Sequence, residues 1–121
     1  MKKNILITRT SSGIGKAIAE HLTDKGHKVI GTSRKKELSN PKFETLTLDV
    51  TIDKSVEEAS LKAIEKLSKI DVLINNAGYG VFGPIENTTI EEAKQQFETN
   101  YFGVLRMINA VIPHMKKTAE V

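Results

Sequence analysis

Short apolar segments rich in β-branched residues alternate along this chain with segments in which apolar residues recur every three or four positions. The short runs are predicted to be strands buried on both faces, and they cover residues 5–7, 28–33, 43–48 and 72–74. Strands that alternate with helices form right-handed units and pair in parallel. The alternation therefore predicts an α/β fold built on a doubly wound parallel sheet, with strand order 3-2-1-4 and an end after about four strands.

Helices are predicted between these strands and after the last one. The first follows the turn at residues 8–12 and stops before Gly26, and the second begins near Asp53. A long third helix is predicted to begin at Thr88, because Glu91 stands three residues later as in a capping box, and to fade near Pro113. Its predicted buried stripe consists of Ile90, Ala93, Phe97, Val104, Leu105, Ile108 and Ile112.

The composition fits one globular domain over residues 1–121. Hydrophobic residues make up 39% and charged residues 27%, a balance that argues against disorder and against a membrane protein. The apolar run at residues 5–8 is too short for a signal peptide or a membrane span. Because the chain has no cysteine, no disulfide framework is possible, and a cytoplasmic location is compatible with this composition.

The segment Ser11-Ser12-Gly13-Ile14-Gly15 connects the first predicted strand to the first predicted helix. At such a junction the backbone amides and the positive helix end can bind the pyrophosphate of a dinucleotide. Glycine lets phosphates approach the main chain closely, and the two serines add hydroxyl donors. A Walker-type phosphate loop is excluded, because Gly15-Lys16 is followed by Ala17 rather than by serine or threonine.

Four motifs give this chain a resemblance to the short-chain dehydrogenase/reductase family. Residues 8–15, Thr-Arg-Thr-Ser-Ser-Gly-Ile-Gly, resemble the family signature Thr-Gly-x-x-x-Gly-x-Gly, and Asn75-Asn76-Ala77-Gly78 matches the second signature without a change. Asp49-Val50 matches the pair that contacts adenine in the family, and Asn100 matches its helix asparagine. The resemblance covers essentially the whole chain and implies a Rossmann-like fold that binds a nicotinamide dinucleotide.

The resemblance also implies roles for individual residues. The backbone around Asn76, Ala77 and Gly78 would contact the ribose of the cofactor, and Asn100 would support a water in a proton relay. Asn100 also falls on the predicted apolar stripe, so its amide is expected to face inward and to need partners there. The alternatives without a binding role are a stable turn at residues 75–78 and a core hydrogen bond at Asn100.

One position departs from the family signature. Arg9 stands where the family has glycine, and an arginine adopts a positive φ only with strain. If the turn keeps the shape found in the family, Arg9 is expected to be strained or to point outward. Its charge could help to neutralise the pyrophosphate, but loss of cofactor affinity is the favoured expectation.

The residues after the second strand indicate which nicotinamide cofactor is bound. An acidic side chain there reads the ribose 2′-hydroxyl of NAD, whereas an arginine suits the 2′-phosphate of NADP. The segment Arg34-Lys35-Lys36 has no carboxylate, and Arg34 can fork onto phosphate oxygens, so NADP(H) is favoured over NAD(H). Solvated surface charge is the plainer alternative. The expected cofactor-binding residues are Ser11, Ser12, Gly13, Ile14, Gly15, Arg34, Asp49, Val50, Asn76, Ala77 and Gly78.

The sequence lacks the catalytic tyrosine of the family with a lysine four residues later. The residues four after Tyr79 and Tyr101 are Gly83 and Leu105. We therefore expect an NADP(H)-dependent oxidoreductase that interconverts a carbonyl and a secondary alcohol, represented here by its cofactor-binding half and inactive on its own. The alternative is a non-catalytic module that binds a dinucleotide or self-associates. An unpaired fourth strand and an uncovered helix face favour a homo-oligomer.

Other kinds of partner are not expected from the sequence. With 5% aromatic residues and no recognition motif, nucleic acid is not an expected partner. His21, His27 and His114 are scattered without ligand spacing, so no metal site is expected. The segment 79–85 resembles family members that act on apolar carbonyls, and the substrate is otherwise left open.

Overall fold

A four-stranded parallel sheet forms the centre of the fold in the computed structural model. The structure describes residues 1–35, 39–80 and 83–119. The strands are β1 (Asn4–Ile7), β2 (Lys28–Ser33), β3 (Glu44–Thr47) and β4 (Val72–Ile74). They lie in the order β3-β2-β1-β4, so the predicted α/β class and the predicted strand order are confirmed.

The helices follow the strands in the predicted sequence order. In the described part of the chain they are α1 (Gly13–Asp24), α2 (Asp53–Leu67), α3 (Ile90–Phe97) and α4 (Gly103–Thr118). A short 3₁₀ turn (Ile85–Asn87) precedes α3, and a π-helical turn (Glu98–Phe102), called the π-turn below, joins α3 to α4. The single long helix predicted from Thr88 is thus two α-helices with a wider turn between them.

β1 lies between β2 and β4 and is buried on both faces. Ile5 and Ile7 pack with Ala19 of α1 on one face of the sheet. Leu6 packs on the other face with residues of α2 and α4, Met107 among them. Successive strand residues point to opposite faces, so a strand covered on both sides needs an unbroken apolar run.

The start of β4 is fixed to the start of β1. The Asn4 amide donates to Asp71 Oδ2 at 2.8 Å, and the Asp71 amide donates to the Asn4 carbonyl at 2.9 Å. Asn4 Nδ2 also donates to the carbonyl of Leu67, the last residue of α2, at 3.0 Å. The hydrogen bond from the Asn4 amide lowers the pKa of Asp71 below its ordinary value, with help from Lys69 and against the effect of desolvation.

The bounds of two strands differ from the prediction. β1 begins at Asn4, one residue earlier, because Asn4 pairs with Lys28. β3 is shorter than residues 43–48, since Phe43 and Leu48 are buried but lie outside the strand. A buried apolar residue next to a strand has the same sequence pattern as a residue inside it, so the pattern overestimated the length of β3.

The capping box at the start of α3 lies one residue later than predicted. The Thr88 amide donates to the Ile85 carbonyl at 3.1 Å and so closes the 3₁₀ turn. Thr89 is the N-cap: its Oγ1 accepts from the Glu92 amide at 3.0 Å, and Glu92 Oε2 accepts from the Thr89 amide at 3.5 Å. The prediction of Thr88 with Glu91 was wrong because the preceding turn uses the amide that the box requires.

The buried face of α4 also differs from the predicted stripe. Gly103, Met107 and Val111 are buried, each four residues after the one before. The π-turn adds a residue to the helical repeat and so shifts the face that continues into α4. Of the predicted stripe, Ala93, Val104, Ile108 and Ile112 are half-buried, whereas Ile90, Phe97 and Leu105 are exposed.

Pro113 lies inside α4, which continues to Thr118 instead of fading. A proline removes the helical hydrogen bond to the carbonyl four residues earlier, here that of Asn109. Both residues are exposed, so water can satisfy that carbonyl. Beyond the proline, Met115 packs against the core and holds the last turn in the helix.

Candidate functional site

A cavity of about 570 Å³ opens at the carboxyl ends of the four strands. Its walls are the loops that follow β1, β2, β3 and β4, together with Gln95 of α3 and Thr99 of the π-turn. Pockets that bind small molecules typically measure roughly 300–1,000 Å³, and in open parallel sheets they lie at this edge. The cavity, called the pocket below, is the candidate site.

The turn after β1 leads directly into α1. α1 begins at Gly13, whose φ is +63°, and a Cβ added there would meet open space. The backbone conformation rather than crowding therefore selects glycine at this position. Within the described chain no side chain caps α1 at Ser12, and the first turn of α1 holds no acidic residue. The positive end of α1 is thus available to an anion, with Ser11 and Ser12 lining the pocket beside it.

Gly15 is required by close packing. A Cβ on Gly15 would lie 2.1 Å from the carbonyl oxygen of Arg9 and 2.3 Å from Asn76 Nδ2. Asn76 Nδ2 donates to that same carbonyl at 3.0 Å. The turn after β1 and the loop after β4 therefore meet over Gly15, and only a residue without a side chain fits beneath them.

Thr8 holds the loop after β4 against β1. Its Oγ1 accepts from the amide of Asn76 at 2.9 Å and from the amide of Ala77 at 2.8 Å. Its own amide donates to the Ile74 carbonyl at 3.0 Å, and the residue is fully buried. The sequence singled out Thr8 only as the first residue of a signature, because its role as an acceptor depends on β4 lying next to β1.

Arg9 adopts a backbone conformation with φ +55°, which costs about 1–2 kcal/mol for a residue with a Cβ. Hydrogen bonds hold it on both sides: its amide donates to Thr32 Oγ1 at 3.1 Å, and its carbonyl accepts from Asn76. Its exposed side chain lines the pocket, and Nη1 donates to the carbonyl of Gly78. The side chain is therefore directed to the loop after β4 rather than away from the site.

The loop after β2 brings positive charge to the pocket. Arg34 and Lys35 line it, and both are exposed. The Lys35 amide donates to Ser33 Oγ at 3.1 Å, which turns the chain at the end of the strand. Lys36, the third member of the predicted basic triplet, lies outside the described residues.

Asp49 follows β3 and lines the same pocket. Its Oδ1 accepts from the Thr51 amide at 2.9 Å and from Thr51 Oγ1 at 2.6 Å. Burial raises the pKa of the Asp49 carboxyl, but the hydrogen bonds from Thr51 and the charges of Arg34 and Arg106 outweigh it, so the pKa lies below its ordinary value. Asp49 is therefore an ionised and oriented acceptor at neutral pH.

Arg106 of α4 anchors the segment that carries Asp49. Its Nη1 donates to the Val50 carbonyl at 3.2 Å, its Nε donates to Asp53 Oδ1 at 2.7 Å, and its Nη2 donates to Glu98 Oε1. The hydrogen bond with Glu98 is the main influence that raises the pKa of Arg106 above its ordinary value. Nothing in the sequence pattern singled out Arg106, because Asp53 and Val50 lie 53 and 56 residues away from it along the chain.

Asn100 binds the backbone of Tyr79 through both ends of its amide. Nδ2 donates to the Tyr79 carbonyl at 2.6 Å, and Oδ1 accepts from the Tyr79 amide at 2.9 Å. Asn100 lies in the middle of the π-turn, a distortion that recurs at functional sites. The side chain is exposed, so the expectation of a buried amide was wrong: its partner is a surface loop rather than the core.

The predicted cofactor-binding residues divide into two groups. Those that line the pocket are Ser11, Ser12, Arg34, Asp49, Val50, Ala77 and Gly78. In the described part of the chain Gly13, Ile14, Gly15 and Asn76 do not line it; Gly15 and Asn76 support its floor, and Ile14 is exposed. Lining residues that the sequence did not single out include Thr32, Ser33, Leu48, Thr51, Gln95 and Thr99.

The donor set of the pocket suits a dinucleotide. It combines an open helix end and hydroxyl groups for phosphates, the cations Arg34 and Lys35, and apolar side chains such as Leu48 and Val50 for a flat ring. Across residues 1–35, 39–80 and 83–119, no group of three or more histidine, aspartate or glutamate residues is arranged to hold a metal ion. Within the same ranges no helix is long and apolar enough to cross a membrane.

The strand order, the glycine turn and the pocket define a nucleotide-binding α/β protein of the doubly wound class. The sequence matches the family model for short chain dehydrogenases over residues 3–120. The chain therefore belongs to the short-chain dehydrogenase family, as its motifs predicted.

Several other proteins are similar to this chain over part of their own length. A 3-ketodihydrosphingosine reductase of Bacteroides thetaiotaomicron is 48% identical over 113 residues, which are 93% of this chain and 42% of the relative. An NADPH-dependent 3-dehydrocapnine reductase of Ornithobacterium rhinotracheale is 44% identical over 108 residues, 80% of this chain and 38% of the relative. The solved structure of ElxO with NADP bound has a TM-score of 0.87 at 32% identity and covers 97% of this chain and 52% of that one. The chain thus spans about half or less of the length of these relatives.

Proposed function

We propose that this chain carries the cofactor-binding half of an NADP(H)-dependent oxidoreductase that interconverts a carbonyl and a secondary alcohol. The observation that carries the proposal is the position of Arg34 and Lys35, which line the pocket directly after β2. Dinucleotide-binding folds that read the 2′-hydroxyl of NAD use an acidic residue near this place, whereas an arginine accommodates the 2′-phosphate. A guanidinium binds phosphate oxygens in pairs, so Arg34 favours NADP(H).

The remaining pocket residues have complementary roles in this proposal. Ser11, Ser12 and the amides of the turn that contains Gly13, Ile14 and Gly15 bind the pyrophosphate. Asp49, ionised and oriented by Thr51, accepts from the amino group of adenine, and Val50 lies beside the ring. Asn76, Ala77 and Gly78 contact the ribose through their backbone.

Asn100 has a supporting role. Its hold on Tyr79 positions the loop that carries the ribose contacts, and the family resemblance adds the placement of a relay water. Carbonyl reduction also requires a proton donor close to the developing alkoxide. Neither Tyr79 nor Tyr101 is followed by a lysine four residues later, so we expect the 121-residue chain to be inactive on its own.

The substrate class proposed is a small molecule with a carbonyl or secondary alcohol group. Two named relatives are reductases, which supports the carbonyl direction.

A titration of NADPH and NADH against the 121-residue chain, followed by nicotinamide fluorescence, tests the cofactor assignment. The hydrogen bonds of one arginine to a phosphate contribute roughly 1.5–3 kcal/mol, so NADPH should bind roughly ten- to a hundredfold more tightly than NADH. Arg34→Met should bind the two dinucleotides equally. Lys62→Met, the same loss of charge at an exposed position of α2, should keep the preference. Equal binding of both dinucleotides by the native chain would remove the case for NADP(H).

A second candidate function is a self-associating, non-catalytic module. β4 is an edge strand of the described sheet, and Phe97, Tyr101 and Phe102 expose 61%, 54% and 45% of their surface near the π-turn. Exposed strand edges and clustered apolar side chains favour association. Light scattering over a range of protein concentrations tests this, and a dimer that binds neither dinucleotide would favour the second candidate over the first.

A further inference from the structure

The guanidinium of Arg9 connects two neighbouring loops of the pocket wall, those that follow the adjacent strands β1 and β4. Its backbone is held by Thr32 on one side and by Asn76 on the other, so the Cα position is fixed and only the side chain is free to turn. Nη1 donates to the Gly78 carbonyl, and both residues line the pocket. The side chain therefore lies in the pocket, at the Gly78 carbonyl.

The Gly78 carbonyl is itself held in place. Ala77 on one side is bound to Thr8 through its amide, and Tyr79 on the other side is bound to Asn100 through its amide and its carbonyl. The carbonyl that accepts from Arg9 thus belongs to a peptide unit anchored at both ends. The guanidinium is held at a defined position rather than moving freely in solvent.

A diphosphate is a better acceptor for this guanidinium than the Gly78 carbonyl. The carbonyl is a single neutral oxygen, whereas a diphosphate offers several charged oxygens that a planar guanidinium can bind in pairs. Ser11 and Ser12 line the same pocket, and Ser12 directly precedes α1, whose start has no side-chain cap, so the phosphate position and Arg9 belong to one site.

We propose that Arg9 is a phosphate-binding residue that leaves the Gly78 carbonyl and binds the diphosphate of the dinucleotide; this rests on the function proposed above. The positive φ of Arg9 belongs to the turn itself, where Thr32 and Asn76 hold the backbone, so its cost falls on the stability of the fold rather than on binding. The arginine thus adds a charged ligand at a position where the family signature has none.

NADPH titration of Arg9 variants gives the first test. Arg9→Met removes the charge at similar side-chain length and should weaken NADPH binding about tenfold, the loss expected for one charge-assisted hydrogen bond. Arg9→Lys keeps the charge but loses the paired geometry, so its affinity for NADPH should lie between those of the native chain and Arg9→Met. Lys62→Met controls for overall charge, and circular dichroism checks that each variant is folded. Unchanged or tighter NADPH binding by a folded Arg9→Met variant would overturn the proposal.

The second test uses inorganic pyrophosphate and reads the Tyr79 amide by ¹⁵N NMR. This amide belongs to the peptide unit whose carbonyl binds Arg9, so its resonance should move when pyrophosphate draws the guanidinium away. In Arg9→Met the resonance should start from a different position and respond little to pyrophosphate. A Tyr79 resonance that ignores pyrophosphate in the native chain would overturn the Arg9 proposal. A response to pyrophosphate without binding of either dinucleotide would support diphosphate binding by Arg9 but reject the proposed function, and with it the dinucleotide as the source of the diphosphate.

Discussion

Asn100 and Tyr79 form a two-point contact in which one side-chain amide satisfies both the N–H and the carbonyl of a single backbone residue. The contact joins the π-turn to the loop after β4, and that loop provides Ala77 and Gly78 to the pocket. Because the paired side chain is on the surface, its main effect is on the order of the loop rather than on the packing of the core.

We predict that Asn100→Ala increases hydrogen exchange at the Tyr79 amide about tenfold and lowers the free energy of unfolding by about 1–2 kcal/mol, since two hydrogen bonds are lost. Exchange followed by NMR and urea unfolding measure the two effects. Asn109→Ala is the matched control, an exposed asparagine on α4. Equal exchange at Tyr79 in both variants would contradict a specific role for Asn100.

Two glycines of one turn should respond differently to alanine. Gly15→Ala should lower the free energy of unfolding by about 3 kcal/mol, because the added Cβ meets the Arg9 backbone and Asn76, which cannot move apart cheaply. Gly13→Ala meets open space and carries only the cost of its positive φ, about 1 kcal/mol. Urea denaturation curves compare the two variants. A larger loss of unfolding free energy in Gly13→Ala than in Gly15→Ala would contradict the close packing over Gly15.

Ser68→Gly should stabilise the fold by about 1 kcal/mol, because Ser68 ends α2 with φ +63° and glycine removes that strain. The gain is reduced by the greater freedom of glycine in the unfolded chain. Ala119→Gly, at the exposed residue that ends α4 with φ −63°, has only that entropic effect and should be neutral or slightly destabilising. Thermal unfolding checks both variants, and destabilisation by Ser68→Gly would be the opposite of this expectation.

Stability should decrease in acid through Asp71. Its pKa is lower in the folded chain than in the unfolded one, so below a pH of about 4 the unfolded state binds more protons and the free energy of unfolding falls. Above that pH the contribution is fully present. Asp71→Asn should flatten this dependence below the ordinary aspartate pKa of about 4. Urea midpoints measured across this range provide the comparison, and parallel curves for native and Asp71→Asn would exclude the effect.

The sequence predicts the sheet better than it predicts the site. Runs such as residues 5–7 mark a strand covered on both faces, because such a strand needs an unbroken apolar run. The N-cap of α3 was predicted one residue too early. The 3₁₀ turn before α3 depends on a hydrogen bond from the Thr88 amide, which leaves no mark in the sequence pattern. The glycine turn, Arg34 and Asp49 could be found from their order along the chain.

The supporting contacts could not be found in this way. Thr8 binds Asn76 and Ala77 across a separation of 68 and 69 residues, and Arg106 binds Val50 across 56. Such pairs follow from the strand order and from helix packing, which a local pattern does not encode. The π-turn around Asn100 could not be predicted either, because one extra residue in a helical repeat is visible only in the backbone.

The central position of β1 has a consequence for the order of folding. β1 can pair with β2 by closing a loop of about 24 residues. The contact between Asn4 of β1 and Asp71, just before β4, requires closure of a loop of 67 residues. By the logarithmic dependence of loop closure on length, the longer closure costs about 0.9 kcal/mol more in chain entropy. As the chain leaves the ribosome, β1, α1 and β2 can therefore assemble first. Because Ala77, Gly78 and Tyr79 after β4 line the pocket, the pocket is completed only when β4 joins the other strands, late in the emergence of the chain.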